Sequence, residues 1–513
     1  MRFRALRPTL RELEIASVAG ILFGLAFPPF PFVVPAFLCL VPLAVHVARS
    51  ADAGEGWGPA ARVGAYFGVV GYGLNLYWIA IALLIYTDLA ILGYIGALLV
   101  LVPVAAATVA ALYAARRASR LPMAIVLPVV WVASELLLNY LSDLAFPWLP
   151  LGLAMAKHPL FAQIADLSGV RGVSFWIAAI SGLAADAWLV RASRRAVVAR
   201  AAAIVLLVAA SAAYGRWRMT TTVMRPIAPV AVVQPNIPQI DKWQEQNQGR
   251  IIGILAELTR ERLARHDARL VLWPEAALPG FLQEHEDWRD TVRTLAASAR
   301  TPIIFGAIDL VFHLSGRYDY YNAAFLADSL GRVGGQPTYR KTFLVPIVER
   351  VPFLNPEWFA FLGRYFGGYG HGGRPVPFQL PFGKVGVLIC YESIFLERSR
   401  AYRRDGVSLL VNITNDAWFG KSIAPYQHEA HLAFRAIENR VGVVRDANTG
   451  ISEYVDPLGR VHGATELFVP ATRTYEAQTT DVLTLYDHLG DWLGALCAAA
   501  TVAAIVAALR RPG

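Results

Sequence analysis

Long apolar runs that are almost free of charge occupy the first part of the chain and its end. Most of these runs approach the ~20 residues that an α-helix needs to cross the hydrocarbon core of a bilayer. The pattern predicts eight membrane-spanning helices, seven within residues 1–214 and one within residues 487–513. The apolar windows are 13–28, 32–48, 63–84, 89–115, 122–142, 161–190, 197–214 and 489–509.

The chain between residues 215 and 486 has a different pattern, in which short β-branched runs alternate with helical stretches. Runs that are apolar on both faces are typical of strands buried within a layered fold. The alternation predicts one large α/β domain, which is long enough to bury a core of its own. Strands are predicted at 229–237, 269–275, 301–308, 321–328, 385–392 and 407–414, and helices at 249–266 and 425–441.

The composition agrees with a membrane protein, since 56% of the 513 residues are hydrophobic. Arginines are concentrated in the loops on one side of the predicted helices, which places these loops and both termini in the cytoplasm. The α/β domain then lies on the opposite side of the membrane. It carries 30 Lys and Arg against 27 Asp and Glu, and this near neutrality argues against nucleic acid as its partner.

The cysteines draw attention to one position in the α/β domain. Cys39 and Cys497 fall within predicted membrane helices, so Cys390 has no cysteine within the domain to pair with. An unpaired thiol in an oxidising compartment needs another explanation. Ligands gather beyond the carboxyl ends of strands in such sheets, so the polar residues at these ends are candidates for a site. They are Glu275, Cys390, Asn412, Asn415 and Asp416.

A nucleophilic cysteine attacks a carbonyl as the thiolate. It needs a base for its proton, and a cation or N–H groups for the oxyanion that forms. The stretch "WPEAALPG" offers Glu275 at a strand end, and "YRKTFLVPIVERVPF" offers Lys341 and Glu349. Taken alone, a cysteine at a strand end is more often an inert part of the core.

Glu275 in "WPE", Lys341 in "YRKTFLVP" and Cys390 in "ICYE" resemble the Glu-Lys-Cys triad of the nitrilase superfamily. Eight membrane helices with a domain inserted before the last resemble its membrane-embedded branch, apolipoprotein N-acyltransferase. This resemblance covers nearly the whole chain and implies an eight-helix transmembrane bundle with an inserted nitrilase-like α-β-β-α sandwich. Other matching stretches are "VVQPNIPQIDKW", "YNAA", "LVPIVERVPF", "NITNDAWFG", "FRAIENR" and "ANTGIS".

The resemblance implies a role for each residue of the triad. Cys390 is the nucleophile, Glu275 moves its proton, and Lys341 holds the oxyanion together with the backbone N–H of Tyr391. Catalytic support is expected from Glu349, Tyr391 and Glu392, and substrate contacts from Trp243, Asn322 and Trp418.

The implied reaction has two steps. Cys390 takes the sn-1 acyl chain of a phospholipid as a thioester, and the amine of a diacylglyceryl-cysteine lipoprotein then takes the chain as an amide. The resemblance implies neither a cofactor nor a metal. We expect a monomer in the bacterial inner membrane, with residues 215–486 as a catalytic domain on the periplasmic side.

The stretch "PEWFAFLGRYFGGYGHGG" at 356–373 is rich in aromatic residues and glycine. Its aromatic side chains could dip among lipid headgroups while its glycines let it open and close, so we expect a mobile lid. These side chains are Trp358, Phe359, Phe361 and Phe366. "GYGHGG" also satisfies a dinucleotide-binding spacing, but no strand leads into it and the prolines of "RPVP" follow, which argues against such a site.

Two other functions remain open from the sequence. A membrane-tethered amidase or lipid hydrolase would use the same triad with water as the second nucleophile. A transporter with an external binding domain would be expected to show an internal repeat or paired broken helices, and the sequence shows neither.

Two further patterns lead to predictions, a pair of histidines and the charges within the predicted spans. "HEAH" at 428–431 lacks the i, i+4 spacing of a helical zinc site, and we interpret it as part of a surface helix. Charges inside the predicted spans are costly in hydrocarbon, so each either forms a pair or lines a polar cavity, and we expect a structural pair for each of them. These charged residues are Glu135, Asp166, Arg171 and Asp186.

Overall fold

The computed structural model describes residues 8–314, 318–355, 358 and 367–510. The described chain is mainly helical up to Thr221, and its strands lie between Arg225 and Thr479. The helices of the first part are α1 (Leu10–Gly24), α2 (Val34–Leu38), α3 (Val41–Ala53), α4 (Gly58–Leu76), α5 (Trp78–Leu83), α6 (Ala90–Ser119), α7 (Met123–Asn139), α8 (Pro159–Ala162), α9 (Ala165–Ser168), α10 (Val170–Leu189) and α11 (Arg194–Thr221).

Helical structure occurs in every apolar window of the sequence. Five of the described helices are long and apolar enough to cross a membrane. They are Val34–Ala53, which is α2 and α3 taken together, Ala90–Ser119, Val170–Leu189, Arg194–Thr221 and Trp492–Arg510. Met123–Asn139 is apolar but shorter. The prediction of an apolar helical region is confirmed, and the number of eight spans stays a prediction.

Close packing of α4 against α6 depends on two glycines of α4. A Cβ atom at Gly64 would lie 2.7 Å from the backbone oxygen of Ala105, and one at Gly68 would lie 2.9 Å from the Ala105 Cβ. Small residues four positions apart let two helix backbones approach each other. This contact holds α6 in place, and the first half of α6 contributes to the site described below.

The described strands form two sheets, in the orders β13–β1–β2–β4–β5–β6, with β3 beside β4, and β12–β11–β10–β9–β8–β7. Strands β1, β2 and β4 are parallel, as are β8, β9 and β10, so the carboxyl ends within each set lie at one edge of the sheet. The strands are β1 (Arg225–Gln234), β2 (Leu270–Leu272), β3 (Leu278–Phe281), β4 (Ile303–Phe312), β5 (Tyr318–Ala327), β6 (Tyr339–Arg340), β7 (Phe378–Leu380), β8 (Gly383–Ile389), β9 (Val407–Thr414), β10 (Gly442–Ala447), β11 (Glu453–Val455), β12 (Val461–His462) and β13 (Ala471–Thr479).

The two sheets pack face to face around a core that includes Val232 and Leu272 of the first sheet and Val387 and Val443 of the second. Helices α13 and α14 cover the outer face of the first sheet, and α15 and α16 cover that of the second. The expected α-β-β-α sandwich is therefore confirmed. The helices of this part and the end of the chain are α12 (Gln239–Lys242), α13 (Gln248–Leu263), α14 (Glu286–Ala299), α15 (Leu396–Arg404), α16 (Ala424–Asn439), α17 (Leu485–Leu489) and α18 (Trp492–Arg510).

The strand predicted at 385–392 ends earlier in the structure. Strand β8 stops at Ile389, and Cys390–Ile394 forms a 3-10 helix. The strand stops there because Cys390 has a φ of +49°, in the left-handed region, and because the Glu392 carboxylate accepts a hydrogen bond from the Ile389 N–H. Cys390 therefore lies on a turn at the strand end.

Helix α16, which carries "HEAH", is buried on all sides. His428 and His431 are 0% and 1% exposed, so the prediction of a surface helix was wrong. One side of α16 packs on β10 and β11, and another packs on α8 and α9. A buried helix tolerates such polar side chains when they find hydrogen-bond partners inside the fold, and both histidines do.

The charges within the predicted spans divide into two groups. Asp166 bonds to Arg218 and Arg440, and Arg171 pairs with Asp491, so pairing is confirmed for these two. The Asp186 carboxylate instead accepts hydrogen bonds from the first N–H groups of α7. The Glu135 carboxylate likewise accepts from N–H donors, the Trp131 indole and the Leu151 backbone.

Most of the expected lid lies outside the described residues, including Phe359, Phe361 and Phe366. Trp358 is described and is 67% exposed. The end of the lid stretch is hydrogen-bonded beside the predicted site, because the Gly372 N–H donates to the backbone oxygen of Lys341 at 2.7 Å. The opening and closing of this stretch stays a prediction.

Candidate active site

A cavity of about 520 Å³ lies where the carboxyl ends of β2, β8 and β9 meet helices α5 and α6. Glu275, Lys341 and Cys390 all line this cavity. They come from separate parts of the chain, so the fold gathers the three residues that the sequence singled out.

Glu275 lies on a tight turn after β2. Gly306 on β4 makes room for the turn, since a Cβ there would lie 2.8 Å from the Glu275 Cα. One carboxylate oxygen, Oε1, accepts hydrogen bonds from Asn322 Nδ2 at 2.7 Å and from Lys341 Nζ at 3.1 Å. The other, Oε2, accepts from the backbone N–H of Asn415 at 3.0 Å. The carboxylate is therefore held in one orientation at the cavity wall.

Lys341 follows β6, and its side chain is 1% exposed. Its Nζ donates to Glu349 Oε1 at 2.8 Å as well as to Glu275. Burial alone would lower the pKa of Lys341, but the carboxylates of Glu275 and Glu349 raise it above the usual value. Lys341 is therefore a buried ammonium group with two carboxylate partners.

Glu349 is held as firmly as the lysine that it contacts. Asn322 Nδ2 donates to Glu349 Oε1 at 2.8 Å, and the Val345 N–H donates to Glu349 Oε2 at 2.8 Å. Asn322 thus bridges the two carboxylates on either side of Lys341. The amide nitrogen of Asn322 is committed to this network, and the side chain also lines the cavity.

Cys390 is 7% exposed and reaches the cavity from the turn after β8. Burial raises the pKa of its thiol, and the Glu275 carboxylate raises it further, while Lys341 and the Thr414 hydroxyl act in the opposite direction. The net pKa is above the usual value, so the resting group is the thiol. Attack on a carbonyl therefore requires a base within the site.

Glu392 and Tyr391 hold the turn at Cys390 without lining the cavity. The Glu392 carboxylate accepts from the Tyr339 hydroxyl and from the N–H groups of Thr342 and Ile389, which ties the end of β8 to the segment after Lys341. The Tyr391 hydroxyl donates to the backbone oxygen of Ala145 at 2.8 Å. Its ring lies against the rings of Phe146 and Trp148, in the loop between α7 and α8. The helical region therefore supports the turn at Cys390.

Trp243 and Trp418, the other predicted substrate-binding residues, also line the cavity. Trp418 stacks on Tyr86, with ring centroids 5.4 Å apart. The sequence did not point to the helical wall of the cavity. This wall includes Trp78, Leu83, Gly93, Gly96, Ala97 and Val100. The two glycines within one apolar window were the available signal: Gly93 lets the Leu83 side chain approach α6, and Gly96 leaves open space.

Two more buried polar residues beside the site were missed. Lys242 Nζ donates to the Glu275 backbone oxygen at 2.9 Å. Burial lowers the pKa of Lys242 to about 8, although Glu275 and Cys390 act in the opposite direction. His428 Nε2 lies 3.1 Å from the backbone oxygen of Cys390. Neither contact leaves a signal in the sequence, because both join distant segments.

Comparison with known proteins gives matches over most of the chain. Residues 229–479 match the carbon-nitrogen hydrolase family, and residues 19–183 match the apolipoprotein N-acyltransferase N-terminal domain. The apolipoprotein N-acyltransferase of Geobacter metallireducens is 35% identical, over 97% of this chain and 95% of its own. That of Chlorobaculum tepidum is 29% identical, over 96% of each chain. Among solved structures, a Saccharomyces cerevisiae member of branch 10 of the nitrilase superfamily is 16% identical, over 52% of this chain and 94% of its own, with a TM-score of 0.39.

Proposed function

This chain belongs to the apolipoprotein N-acyltransferase family, and on this premise we propose that it transfers a phospholipid acyl chain to the N-terminal amine of a diacylated lipoprotein. The observation that carries the proposal is a cavity with two kinds of wall. One wall holds Glu275, Lys341 and Cys390, and the other is made of apolar residues from α5 and α6. A nucleophile, its base and an oxyanion donor thus lie beside a surface suited to an acyl chain.

In the first step, Glu275 accepts the proton of the Cys390 thiol, and the sulfur attacks the sn-1 ester carbonyl. The oxyanion is stabilised by the Lys341 ammonium and the Tyr391 backbone N–H. A preorganised donor of this kind contributes about 3–4 kcal/mol of transition-state stabilisation. The C–O bond then breaks, Glu275 returns the proton to the leaving alcohol, and the acyl chain remains on Cys390 as a thioester.

In the second step, the lipoprotein α-amine attacks the thioester carbonyl. Glu275 accepts a proton from the amine and returns it to the sulfur as the C–S bond breaks. The product is an amide, and Cys390 is again a thiol. The same three residues serve both steps because each passes through a tetrahedral oxyanion.

The apolar wall accounts for the lipid donor. Drawing an acyl chain into water costs about 0.8 kcal/mol of transfer free energy for each exposed CH₂ group. Leu83, Ala97 and Val100 provide apolar surface beside Cys390, so a chain can stay out of water while its carbonyl reaches the sulfur. We assign substrate contacts to Trp243 and Trp418 on the same cavity.

We further propose that the chain crosses the bacterial inner membrane eight times. The five long apolar helices would be joined by α1, by α4 with α5, and by α7, which occupy the remaining windows. Residues 1–214 and 487–513 form the membrane part, and residues 215–486 form the periplasmic catalytic domain of a monomer. The arginine-rich loops support this orientation.

The proposal is tested by incubating the purified protein with phospholipid and a synthetic diacylated lipopeptide. We expect an N-acylated lipopeptide and a matching lysophospholipid, and neither product with the Cys390→Ser variant. Free fatty acid without N-acylated peptide would instead identify a lipid hydrolase that uses the same triad.

A further inference from the structure

Two side chains that lie behind the cavity contact the backbone carbonyl of Cys390. His428 Nε2 lies 3.1 Å from this oxygen, and Asn412 Nδ2 lies 3.4 Å from it. Neither side chain lines the cavity. The His428 ring is completely buried and stacks on the Trp148 indole, with centroids 5.6 Å apart, so it has little freedom to tilt.

The surroundings of His428 determine where its ring proton is. A carbonyl oxygen can only accept a hydrogen bond, so the contact with Cys390 places a proton on Nε2, which also lies 3.1 Å from the Ser393 hydroxyl oxygen. On the other side, Nδ1 lies 3.0 Å from Asp416 Oδ1, which can only accept, and 3.2 Å from Arg445 Nη2, which can only donate. Burial lowers the pKa of His428 and Arg445 lowers it further, although Asp416 beside Nδ1 raises it. The geometry of the contact with the Cys390 carbonyl, rather than the charge of the ring, therefore assigns the Nε2 proton.

Arg445 fixes the orientation of the side chains around His428 and Asn412. Its Nη2 donates to Asp416 Oδ2 and its Nη1 donates to Asn412 Oδ1, both at 2.5 Å. One buried guanidinium thus orients both groups that contact the Cys390 carbonyl. The network holds a turn that needs support, because a non-glycine residue at a φ of +49° is in an unfavourable conformation.

The contact with the carbonyl bears on the chemistry through the peptide plane. The Cys390 C=O and the Tyr391 N–H belong to one planar trans peptide and point in opposite directions. A donor that fixes the carbonyl therefore also fixes the direction of the N–H. A hydrogen bond to the carbonyl also polarises the peptide, which makes its N–H a stronger donor.

We infer that His428 is a positioning residue for acyl transfer, whose Nε2–H holds the Cys390–Tyr391 peptide so that the Tyr391 N–H points at the oxyanion. This inference rests on the proposed function, since it concerns the oxyanion of that reaction. His431 provides a matched control on the same helix. It is 1% exposed, and its Nε2 lies 3.1 Å from a backbone oxygen as well, but this oxygen belongs to Trp148.

The test compares His428→Gln with His428→Asn in the full-length protein. Gln can place an N–H near the position of Nε2, whereas the shorter Asn can reach only the position of Nδ1. Two rates are measured at one pH: acylation of Cys390 by phospholipid, followed by intact mass spectrometry, and alkylation of Cys390 by iodoacetamide, which forms no oxyanion.

We expect His428→Asn to acylate about 10²-fold more slowly, as for the loss of an oxyanion donor, while alkylation changes by less than about threefold. The phospholipid concentration at half-maximal rate should not change. His428→Gln should recover most of the acylation rate, and His431→Asn should keep it even if its melting temperature falls.

The inference is overturned if His428→Asn is acylated at the wild-type rate, or if its acylation and alkylation rates fall by the same factor. It is also overturned if His428→Gln is acylated no faster than His428→Asn. A wild-type protein that is alkylated but never acylated would overturn the proposed function itself, and the inference with it.

Discussion

Lys341 Nζ lies 2.8 Å from Glu349 Oε1, and both side chains are buried. A buried ammonium group without carboxylate partners tends to lose its proton, because burial penalises the charged form. Glu349 therefore contributes to the site through the charge of Lys341.

Replacing Glu349 by Gln tests this relationship. The amide keeps the shape of the side chain but removes one of the two charges that raise the pKa of Lys341. We expect the rate of Cys390 acylation to fall roughly 10- to 100-fold, less than for direct loss of an oxyanion donor. Since Lys341 must stay protonated, the variant should lose activity as the pH rises, at a pH where the wild type is still active.

Glu245 supplies the control for this variant. It is an exposed carboxylate that also lines the cavity. Glu245→Gln should leave the alkaline side of the pH–rate profile unchanged. An unchanged profile in Glu349→Gln would show that the charge of Lys341 does not depend on Glu349.

The two effects of Glu275 on Cys390 can be separated by experiment. The Glu275 carboxylate raises the pKa of the thiol, yet the proposed reaction needs it as the base. Below the pKa of a thiol, one unit of pKa changes the thiolate fraction about tenfold. We expect Glu275→Gln to react faster than the wild type with iodoacetamide near neutral pH, by up to roughly this factor, and to form no acyl thioester.

In the wild type, alkylation of Cys390 should keep rising with pH through neutrality and beyond, because the raised pKa keeps the group a thiol in this range. Cys390→Ser identifies labelling at other cysteines. Normal acylation of Glu275→Gln would remove Glu275 from its role as the base.

The structure also predicts a strong dependence of stability on Arg440, which follows α16. Its guanidinium is 0% exposed and lies 2.5 Å from the Asp166 carboxylate of α9, in the helical region. Removing one partner of a buried pair costs up to about 3–5 kcal/mol, and without Arg440 the Asp166 carboxylate would keep only the Arg218 guanidinium as a charged partner. We expect Arg440→Ala to lower the melting temperature clearly in detergent solution.

The pair between Arg225 and Asp481 is a control because both side chains are more than half exposed. Exposed pairs contribute little to stability, so Arg225→Ala should melt at about the wild-type temperature. Equal melting temperatures for the two variants would show that the Arg440 pair does not hold the helical region to the sandwich.

The residues that the sequence indicated share one property. Glu275 and Cys390 follow buried apolar strands, which can be recognised from local pattern, and the strand predicted at 407–414 coincides with β9. The burial of α16 could not be recognised in this way. Its Gln427 bonds to Trp148 and Asn75, which are far away in the sequence, so a helix with polar side chains on several faces looked exposed.

The helical wall of the cavity was missed for a related reason. An apolar window in a membrane protein gives no sign of which side faces lipid and which faces a cavity. The packing of the helices in the fold places Gly96 in open space on the cavity that Cys390 also lines.

Gly96 gives the last prediction, which concerns the acyl chain. A Cβ atom at Gly96 would meet no atom within 4 Å, so Leu can be accommodated there, and its side chain would occupy part of the cavity. Leu takes about the space of three to four CH₂ groups, each worth ~0.8 kcal/mol on burial, so long-chain phospholipids should lose at least about tenfold in acylation rate. The acylation rate with short-chain donors should fall much less, and the alkylation rate of Cys390 should stay the same. Gly253→Leu, at an exposed and open position of α13, should leave the acylation rate unchanged with both donors. If Gly96→Leu slows both donors equally, the acyl chain does not lie along α6.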